Sequence, residues 1–223
     1  MTPPQVPDWL DPLRRAMAGV RSEDLSRFQP PADGGRDSAV LILIGSDSGG
    51  PDVLLIQRAE ELRSHAGQPS FPGGAADPGD GGPAGTALRE AAEEVGVRAE
   101  DVTVLAELPQ LYIPFSGFAV TPVVAWWHRP SEVAVVDPAE TASVARVPVA
   151  ELVDPANRFR TRHPSGHLGA AFAVGGMLVW GFTAGLLDGV LNLAGWTRPW
   201  DRTDLRDLPA DVLALSMQPG RQA

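Results

Sequence analysis

The run of residues 88–97 places three glutamates close together on one side of a helix. A helix turns by about 100° per residue, so the spacing of this run predicts two opposite faces. The apolar face is predicted to hold Leu88, Ala91, Ala92 and Val95, and the acidic face Glu90, Glu93 and Glu94. Like charges three or four residues apart repel by about 0.2–0.5 kcal/mol per pair, and the last turn of a helix disfavours anions. A divalent cation would reverse both costs; without one, the run is an ordinary solvated acidic face.

A cation held by these carboxylates would suit the hydrolysis of a diphosphate. That reaction places negative charge on phosphate oxygens, so its catalyst needs cations in fixed positions beside an activated water. Glu90 and Glu94 lie one turn apart and can ligate the same Mg²⁺ or Mn²⁺, both of which accept oxygen ligands. Glu93 is expected to hold a second ion or to orient the water. Arg89 is expected to fix a glutamate side chain through a bidentate hydrogen bond, the alternative being an arginine that faces solvent.

The segment upstream of the acidic helix carries further candidates. Residues 59–82 are expected to form a long irregular loop, and such a loop in a compact domain is usually functional. Gly73 and Gly74 suit a place where the backbone approaches a metal ion or a phosphate closely, and a carbonyl there, that of Gly74, is a candidate metal ligand; the alternative is a plain turn. Arg58 and Arg63 are candidate phosphate contacts, with surface salt bridges as the alternative.

The elements that must position these residues follow from apolar periodicity and from breaker residues. Pro83 suits the first turn of the acidic helix and Gly96 its C-terminal cap. Other helices are predicted at 7–20 and 149–154, the first with Trp9, Leu10, Leu13 and Met17 on a common face. Strands are predicted at 38–45, 52–58, 102–107 and 118–127, and a polar linker at 29–37. The alternation of strands and helices predicts an α/β fold, with a mixed sheet covered by helices on both faces.

Composition limits the possible functions. The chain has 223 residues, which suits one domain with extensions. It has no cysteine, so a disulfide framework, a thiolate metal site and a cysteine nucleophile are excluded. The formal net charge of −10 argues against a partner with a nucleic-acid backbone. The first residues lack the basic and apolar regions of a signal peptide, so a cytoplasmic location is expected.

Residues 168–187 carry no charge and are long enough to span a bilayer. Gly175 and Gly176 interrupt this stretch in its middle, where a spanning helix would be weakened. We therefore expect a strand at 170–174, a Gly-Gly turn, a strand at 177–180 and a buried helix at 183–193. No membrane partner is expected on this interpretation.

The acidic helix and its upstream glycines resemble the Nudix box, G-x5-E-x7-R-E-U-x-E-E-x-G-U, in which U is a bulky aliphatic residue. The matching residues are Gly74, Arg89, Glu90, Glu93, Glu94, Gly96 and Val97. The chain departs from the pattern at the middle acid, which is Asp80 instead of glutamate and lies one residue further from the Arg-Glu pair. The first aliphatic position is Ala91. The resemblance implies the Nudix fold and a hydrolase that depends on Mg²⁺ or Mn²⁺.

A second signature resembles the coenzyme A pyrophosphatase branch of this family. Residues 54–74 are similar to its pattern L-L-T-x-R-S-x3-R-x3-G-x3-F-P-G-G, with Ile56 and Ala59 as deviations. In this branch a longer loop before the Arg-Glu pair is itself usual. The resemblance makes His65 and Phe71 candidate substrate contacts, a surface histidine being the alternative for His65. It also marks Glu140, eight residues before Pro148, as a candidate metal ligand or base.

The similarity to this branch covers about residues 37–195. It implies three parts: residues 1–36 as an N-terminal helix and linker, 37–196 as a Nudix hydrolase domain, and 197–223 as a polar tail. The implied reaction hydrolyses coenzyme A or its acyl forms to 3′,5′-ADP and (acyl-)4′-phosphopantetheine. The alternatives are another nucleoside diphosphate linked to X, such as ADP-ribose or a dinucleotide, and a non-catalytic binding module. The expected partner is a small nucleotide of the coenzyme A type, and a homodimer is possible.

Overall fold

The apolar runs near residues 38–45 and 52–58 form two long strands at the centre of the fold. A computed structural model describes residues 4–26, 28, 34–62, 65–114, 116–163 and 166–216. The helices are α1 (Asp11–Met17), α2 (Ser22–Leu25), α3 (Pro83–Val95), α4 (Val149–Leu152), α5 (Gly181–Leu193) and α6 (Ala210–Ser216). The strands are β1 (Arg36–Asp47), β2 (Gly50–Arg58), β3 (Pro69–Ser70), β4 (Gly73–Ala75), β5 (Val102–Glu107), β6 (Leu111–Ile113), β7 (Phe118–Trp127), β8 (Thr141–Pro148), β9 (Arg158–Arg162), β10 (Leu168–Val174), β11 (Met177–Val179) and β12 (Leu205–Asp207).

The larger sheet has eight strands in the order β3-β2-β1-β7-β5, with β4, β6 and β8 paired to members of this path. β1 and β7 are parallel, whereas the other pairs of this sheet are antiparallel. β1 and β2 form a hairpin near the turn that joins them, and further along β4 pairs with β1 while β3 pairs with β2. The expected irregular loop at 59–82 therefore contains two short strands. The sequence pattern does not predict these two strands, because they are defined by backbone hydrogen bonds and not by the character of their side chains.

Helix α3 covers one face of the larger sheet. Successive side chains of a strand point to opposite faces, so alternate residues of β1, β2 and β7 form an apolar cluster with Ala87, Ala91 and Val95 of α3. The opposite face belongs to a larger cluster that includes residues of α1, α4, α5 and the hairpin of β10 and β11. The expected α/β class and the mixed sheet between helices are thus confirmed.

The predicted N-terminal amphipathic helix is present as α1, which follows a 3₁₀ turn at Asp8–Leu10. Leu13 and Met17 are buried in the larger cluster. Trp9 packs against Trp196, which follows α5, with 5.9 Å between the ring centroids. The N-terminal segment therefore contributes to the same core as the helix near the C-terminus.

Residues 168–187 form β10, β11 and the first half of α5, as the interrupted pattern predicts. Gly175 and Gly176 make the turn between the two strands, with φ angles of 57° and 73° that favour glycine. These strands belong to a smaller sheet of order β11-β10-β9-β12, in which β12 is supplied by the C-terminal tail and runs parallel to β9. Within the described ranges no helix has both the length and the apolar composition needed to cross a membrane.

Candidate active site and metal centre

Helix α3 begins and ends where Pro83 and Gly96 predict, and Gly96 caps it with a φ of 75°. The predicted division of its faces is wrong at two positions. Ala92 is exposed instead of buried, and Glu94 is only 1% exposed. The reason is that the segment containing Gly73 lies against α3 on this side, so that Glu94 points into the protein instead of into solvent.

Three carboxylates converge at the inner side of α3. Glu90, Glu94 and Glu140 can each offer one oxygen such that these oxygens all lie within 4.8 Å of one another. Glu140 precedes β8, and the pairing of β8 with β2 brings this residue to the end of β2. The backbone N–H of Ala59 donates to the Glu140 carbonyl at 2.9 Å and holds it there. The structure thus joins two acids of the helix to one from a segment about fifty residues later.

Glu94 is the most enclosed of the three acids. Its Oε2 accepts a hydrogen bond from the backbone N–H of Gly73 at 3.1 Å, and its Oε1 lies 3.7 Å from Nη1 of Arg58. Burial raises the pKa of Glu94 to about 7, against the opposing effects of Gly73 and Arg58. Glu94 Oε1 is buried and accepts no hydrogen bond from any described residue. A buried carboxylate oxygen without a donor is costly unless a cation occupies the place beside it.

Gly74 leaves room for the carboxylate of Glu90. A Cβ atom on Gly74 would lie 2.5 Å from Cδ and from Oε1 of Glu90, so any larger residue would displace this carboxylate. Burial raises the pKa of Glu90, while the neighbouring Arg89 opposes the rise. Glycine is therefore required at position 74 because the backbone there packs closely against the carboxylate of Glu90. The role of the Gly74 carbonyl as a metal ligand stays a prediction.

Arg89 holds the acidic helix and the loop before it together. Its Nε and Nη2 donate to the two carboxylate oxygens of Asp80 at 2.8 and 3.1 Å, and its Nη2 also donates to the carbonyl of Ala75 at 3.0 Å. Its Nη1 lies 3.0 Å from Glu90 Oε1 and 2.9 Å from Glu93 Oε2. The expected bidentate bond exists, but its acceptor is Asp80 and not a glutamate of the helix. The guanidinium holds the pKa of Asp80 well below its usual range.

The group of three acids fits a divalent cation such as Mg²⁺ or Mn²⁺. These ions accept carboxylate oxygens, and both acids of the helix are at least half-buried and face a third carboxylate. Without a cation, the negative charge of Glu140 adds to the rise in the pKa of both Glu90 and Glu94. Two observations fit a cation site at this place: Glu94 Oε1 accepts no hydrogen bond from a described residue, and Gly74 leaves space for the carboxylate of Glu90.

The profile of the NUDIX domain family matches residues 35–168, more than half of the chain. The chain belongs to the Nudix family. Its acidic helix, the glycines before it and the sheet that carries them all lie within the matched segment. The Nudix fold and the class of enzyme expected from the sequence, a hydrolase, are therefore confirmed.

Two curated relatives and one solved structure illustrate the similarity. The "Uncharacterized Nudix hydrolase NudL" of Photorhabdus laumondii subsp. laumondii is 42% identical over 138 residues, which are 58% of this chain and 72% of that protein. The protein of the same name in Citrobacter koseri is 38% identical over 183 residues, or 73% of this chain and 88% of that protein. The crystal structure of RenU, a Nudix hydrolase from M. smegmatis, aligns with a TM-score of 0.49 at 22% identity, over 82% of this chain and 98% of that one.

The remaining predicted residues of the Nudix site lie in different places. Arg58 ends β2 beside Glu94, as described above. His65 lies in the loop after β2, with a φ of 54°. Its Nδ1 is 3.1 Å from Oε1 of Gln68, and burial lowers the pKa of the imidazole. Phe71 is buried in the hydrophobic core on the sheet face opposite α3, and its contact with substrate stays a prediction. Arg63 lies outside the described residues.

Two features of the Nudix site differ from the sequence interpretation. Glu93 is exposed and paired with Arg89, and it does not belong to the group of three acids that converge. Its metal-binding or catalytic role stays a prediction. The sequence shows Asp80 only as a deviation from the Nudix box, whereas in the structure it is the main partner of Arg89. The sequence does contain an indication of this role, because the Nudix box itself has an acid in the middle of the loop.

Proposed function

We propose that this Nudix hydrolase cleaves the diphosphate of coenzyme A or acyl-coenzyme A with Mg²⁺ or Mn²⁺. The products would be 3′,5′-ADP and 4′-phosphopantetheine or its acyl form. The observation that carries the proposal is the group formed by Glu90, Glu94 and Glu140, with a buried oxygen of Glu94 that accepts no hydrogen bond from a described residue. An acidic group of this kind serves a substrate whose own charge is negative only if cations lie between the two.

The proposed roles of the residues follow from their positions. Glu90 and Glu94 would hold the cation, which when bound supplies positive charge to the phosphate oxygens and lowers the pKa of water. Glu140 is the exposed member of the group, so it is our candidate to accept the proton of the attacking water. Arg58 has an Nε without a partner among the described residues and faces the same place, which suits a phosphate contact. Arg89 is a positioning residue, because it fixes Glu90 and Glu93.

The choice of coenzyme A rests on the second signature. Arg58, Gly73 and Gly74 belong to this signature, and each of them lies beside Glu90 or Glu94. Three residues of this signature therefore lie beside the acids. Another nucleoside diphosphate linked to X remains the second candidate, because the group of acids by itself recognises a diphosphate and not the groups attached to it.

The test compares substrates with the purified full chain. Coenzyme A, acetyl-coenzyme A, ADP-ribose, NADH and a diadenosine polyphosphate are each incubated with MgCl₂ or MnCl₂, and the products are identified by chromatography and mass spectrometry. We expect 3′,5′-ADP from coenzyme A, at a kcat/KM higher than for the other substrates. Preferred cleavage of ADP-ribose or of the dinucleotide would favour the second candidate. A lack of turnover on every substrate, with metal ions still bound, would favour a binding module.

Two further expectations concern the protein in its cell. We propose a cytoplasmic location, where coenzyme A is available to the enzyme, which cell fractionation tests. We also propose that a homodimer can form, which light scattering of the purified protein tests at several concentrations.

A further inference from the structure

A pocket lies behind the acidic group, at the same end of β2. Its volume is about 380 Å³. It is formed by the end of β2, the loop that follows, β8, the hairpin of β10 and β11, and α6. The residues that the argument uses are Gln57, Gly67, Ser143, Trp180 and Val212. We call it the arm pocket.

The arm pocket and the proposed catalytic centre lie at the same end of two paired strands, β2 and β8. Gln57 precedes Arg58 on β2, and the two side chains point to opposite faces of the sheet because a strand alternates. Ser143 pairs with Gln57 and lies three residues after Glu140, a separation that extended chain spans in about 10 Å. Among the described residues β8 pairs with β2 alone, so the outer side of β8 is an open edge of the sheet.

The surface between the acidic group and the arm pocket is exposed to solvent. Glu140, Ala142 and Ser143 are all exposed along this edge of the sheet. A flexible chain attached to a phosphate near Glu140 can therefore pass around β8 and enter the arm pocket without displacing any core residue.

The lining of the arm pocket suits an uncharged chain that contains amides. Gln57 has a side-chain amide, which donates to the carbonyl of Gly67, and Ser143 has a hydroxyl. Trp180 and Val212 supply apolar surface on the other side. Glu60 is the charged group that lines the pocket among the described residues, and its negative charge disfavours a phosphorylated nucleotide there.

We propose that the arm pocket binds the pantetheine arm of the substrate and its acyl group. This inference rests on the proposed coenzyme A hydrolysis and adds the place where the enzyme recognises the part of coenzyme A that other nucleoside diphosphates lack. The pantetheine arm is a flexible, uncharged chain with two amide groups, and its extended length exceeds the separation of Ser143 from Glu140. The nucleotide half of the substrate would then remain on the α3 side of the sheet.

The test uses variants that fill the pocket from two different elements. Ser143→Phe places an aromatic ring in it from β8, and Val212→Trp does so from α6. Val104→Phe, at an exposed position of the distant strand β5, is the control for adding a ring to this protein. The substrates are coenzyme A and an analogue in which a methyl group replaces the pantetheine arm on the same 3′-phospho-ADP.

We expect both pocket variants to lower kcat/KM for coenzyme A at least tenfold, mainly because KM rises. The kcat/KM for the methyl analogue should change less than twofold in the same variants. The control should leave both values unchanged. Equal losses for the two substrates in the pocket variants, or no loss for coenzyme A, would overturn the inference.

Failure of the proposed function would be visible separately. If the unmodified protein releases no 3′,5′-ADP from coenzyme A, the function is wrong, and the pocket is then judged by the binding of free pantetheine. Saturation-transfer NMR at millimolar pantetheine should show contact with the unmodified protein and the Val104→Phe control, and a loss of contact in both pocket variants. Contact that persists in the variants would exclude this pocket as its site.

Discussion

Replacing Glu94 with glutamine should stabilise the metal-free protein, and by an amount that depends on pH. The pKa of Glu94 is raised from its ordinary value of 4.5 to about 7 by burial. A raised pKa means that the folded protein binds this proton more tightly than the unfolded chain does. The stability associated with the protonated acid is present below about pH 4.5 and is lost as the pH rises to about 7 and beyond.

The magnitude follows from the size of this shift. Each pKa unit corresponds to about 1.4 kcal/mol, so a shift from 4.5 to about 7 gives a cost of about 3 kcal/mol at pH 8. At pH 5 the same acid costs less than about 1 kcal/mol, because it is still mostly protonated in the folded protein. Glutamine has a similar shape, its carbonyl can accept the Gly73 hydrogen bond, and it does not ionise.

The assay is urea denaturation followed by tryptophan fluorescence, in EDTA, at pH 5 and pH 8. The free energy of unfolding of Glu94→Gln should exceed that of the unmodified protein by about 2–3 kcal/mol at pH 8 and by less than about 1 kcal/mol at pH 5. Magnesium should then stabilise the unmodified protein and have little effect on the variant, whose turnover should fall by orders of magnitude. Glu93→Gln is the matched control, because Glu93 is exposed, and it should change stability by less than about 0.5 kcal/mol.

A variant that is no more stable than the unmodified protein at pH 8 would refute this reasoning. So would a difference that is the same at both pH values, because it would come from packing and not from the charge. If Glu94→Gln kept full turnover, the assignment of Glu94 to the metal centre would be wrong as well.

Three further predictions follow from single contacts. Gly74→Ala should weaken magnesium binding at least tenfold in isothermal calorimetry while circular dichroism stays unchanged, since its Cβ would lie 2.5 Å from the carboxylate of Glu90; retained affinity would contradict the close packing. Asp80→Asn should lower kcat about tenfold or more with a smaller change in KM, because Arg89 loses the charged acceptor of its bidentate hydrogen bond. Steady-state kinetics will test this, with Asp77→Asn as the exposed control. Asp188→Asn should lower the free energy of unfolding by about 3–5 kcal/mol, because Asp188 pairs with Arg158 of β9, whose side chain is fully buried. A loss of less than about 1 kcal/mol in urea denaturation would contradict the importance of this pair.

The sequence predicts best those elements that are buried on both faces. β1, β2 and β7 are continuous apolar runs, and α3 has breaker residues at both ends, so their bounds agree with the structure to within a few residues. β8 was missed although it pairs with β2 along its length. Its side chains are mostly exposed or half-buried, as expected for a strand at the edge of a sheet, and they give little apolar periodicity.

The faces of α3 show why a helical pattern alone cannot locate a functional side chain. A helical wheel assigns Glu94 to solvent because it is charged, yet the structure buries it beneath the loop that contains Gly73. The periodicity rule assumes that burial follows hydrophobicity, and a site that holds a cation departs from this assumption. The spacing of the acids therefore indicated the presence of a site correctly, but only the tertiary structure separates the inner Glu94 from the outer Glu93.

The environment of Asp80 shows how an acid that departs from the Nudix box in type and spacing still reaches Arg89. Aspartate is one methylene shorter than glutamate, and here one more residue separates the acid from Arg89. The loop folds back until the backbone of Asp80 touches Gly85, where a Cβ would lie 1.7 Å from the Asp80 carbonyl oxygen. Thr86 Oγ1 and the N–H of Asp77 then fix the carboxylate at 2.7 and 2.9 Å. The shorter side chain and the longer loop thus compensate each other, and substituting glutamate at position 80 without shortening the loop should impair Arg89 instead of restoring the pattern.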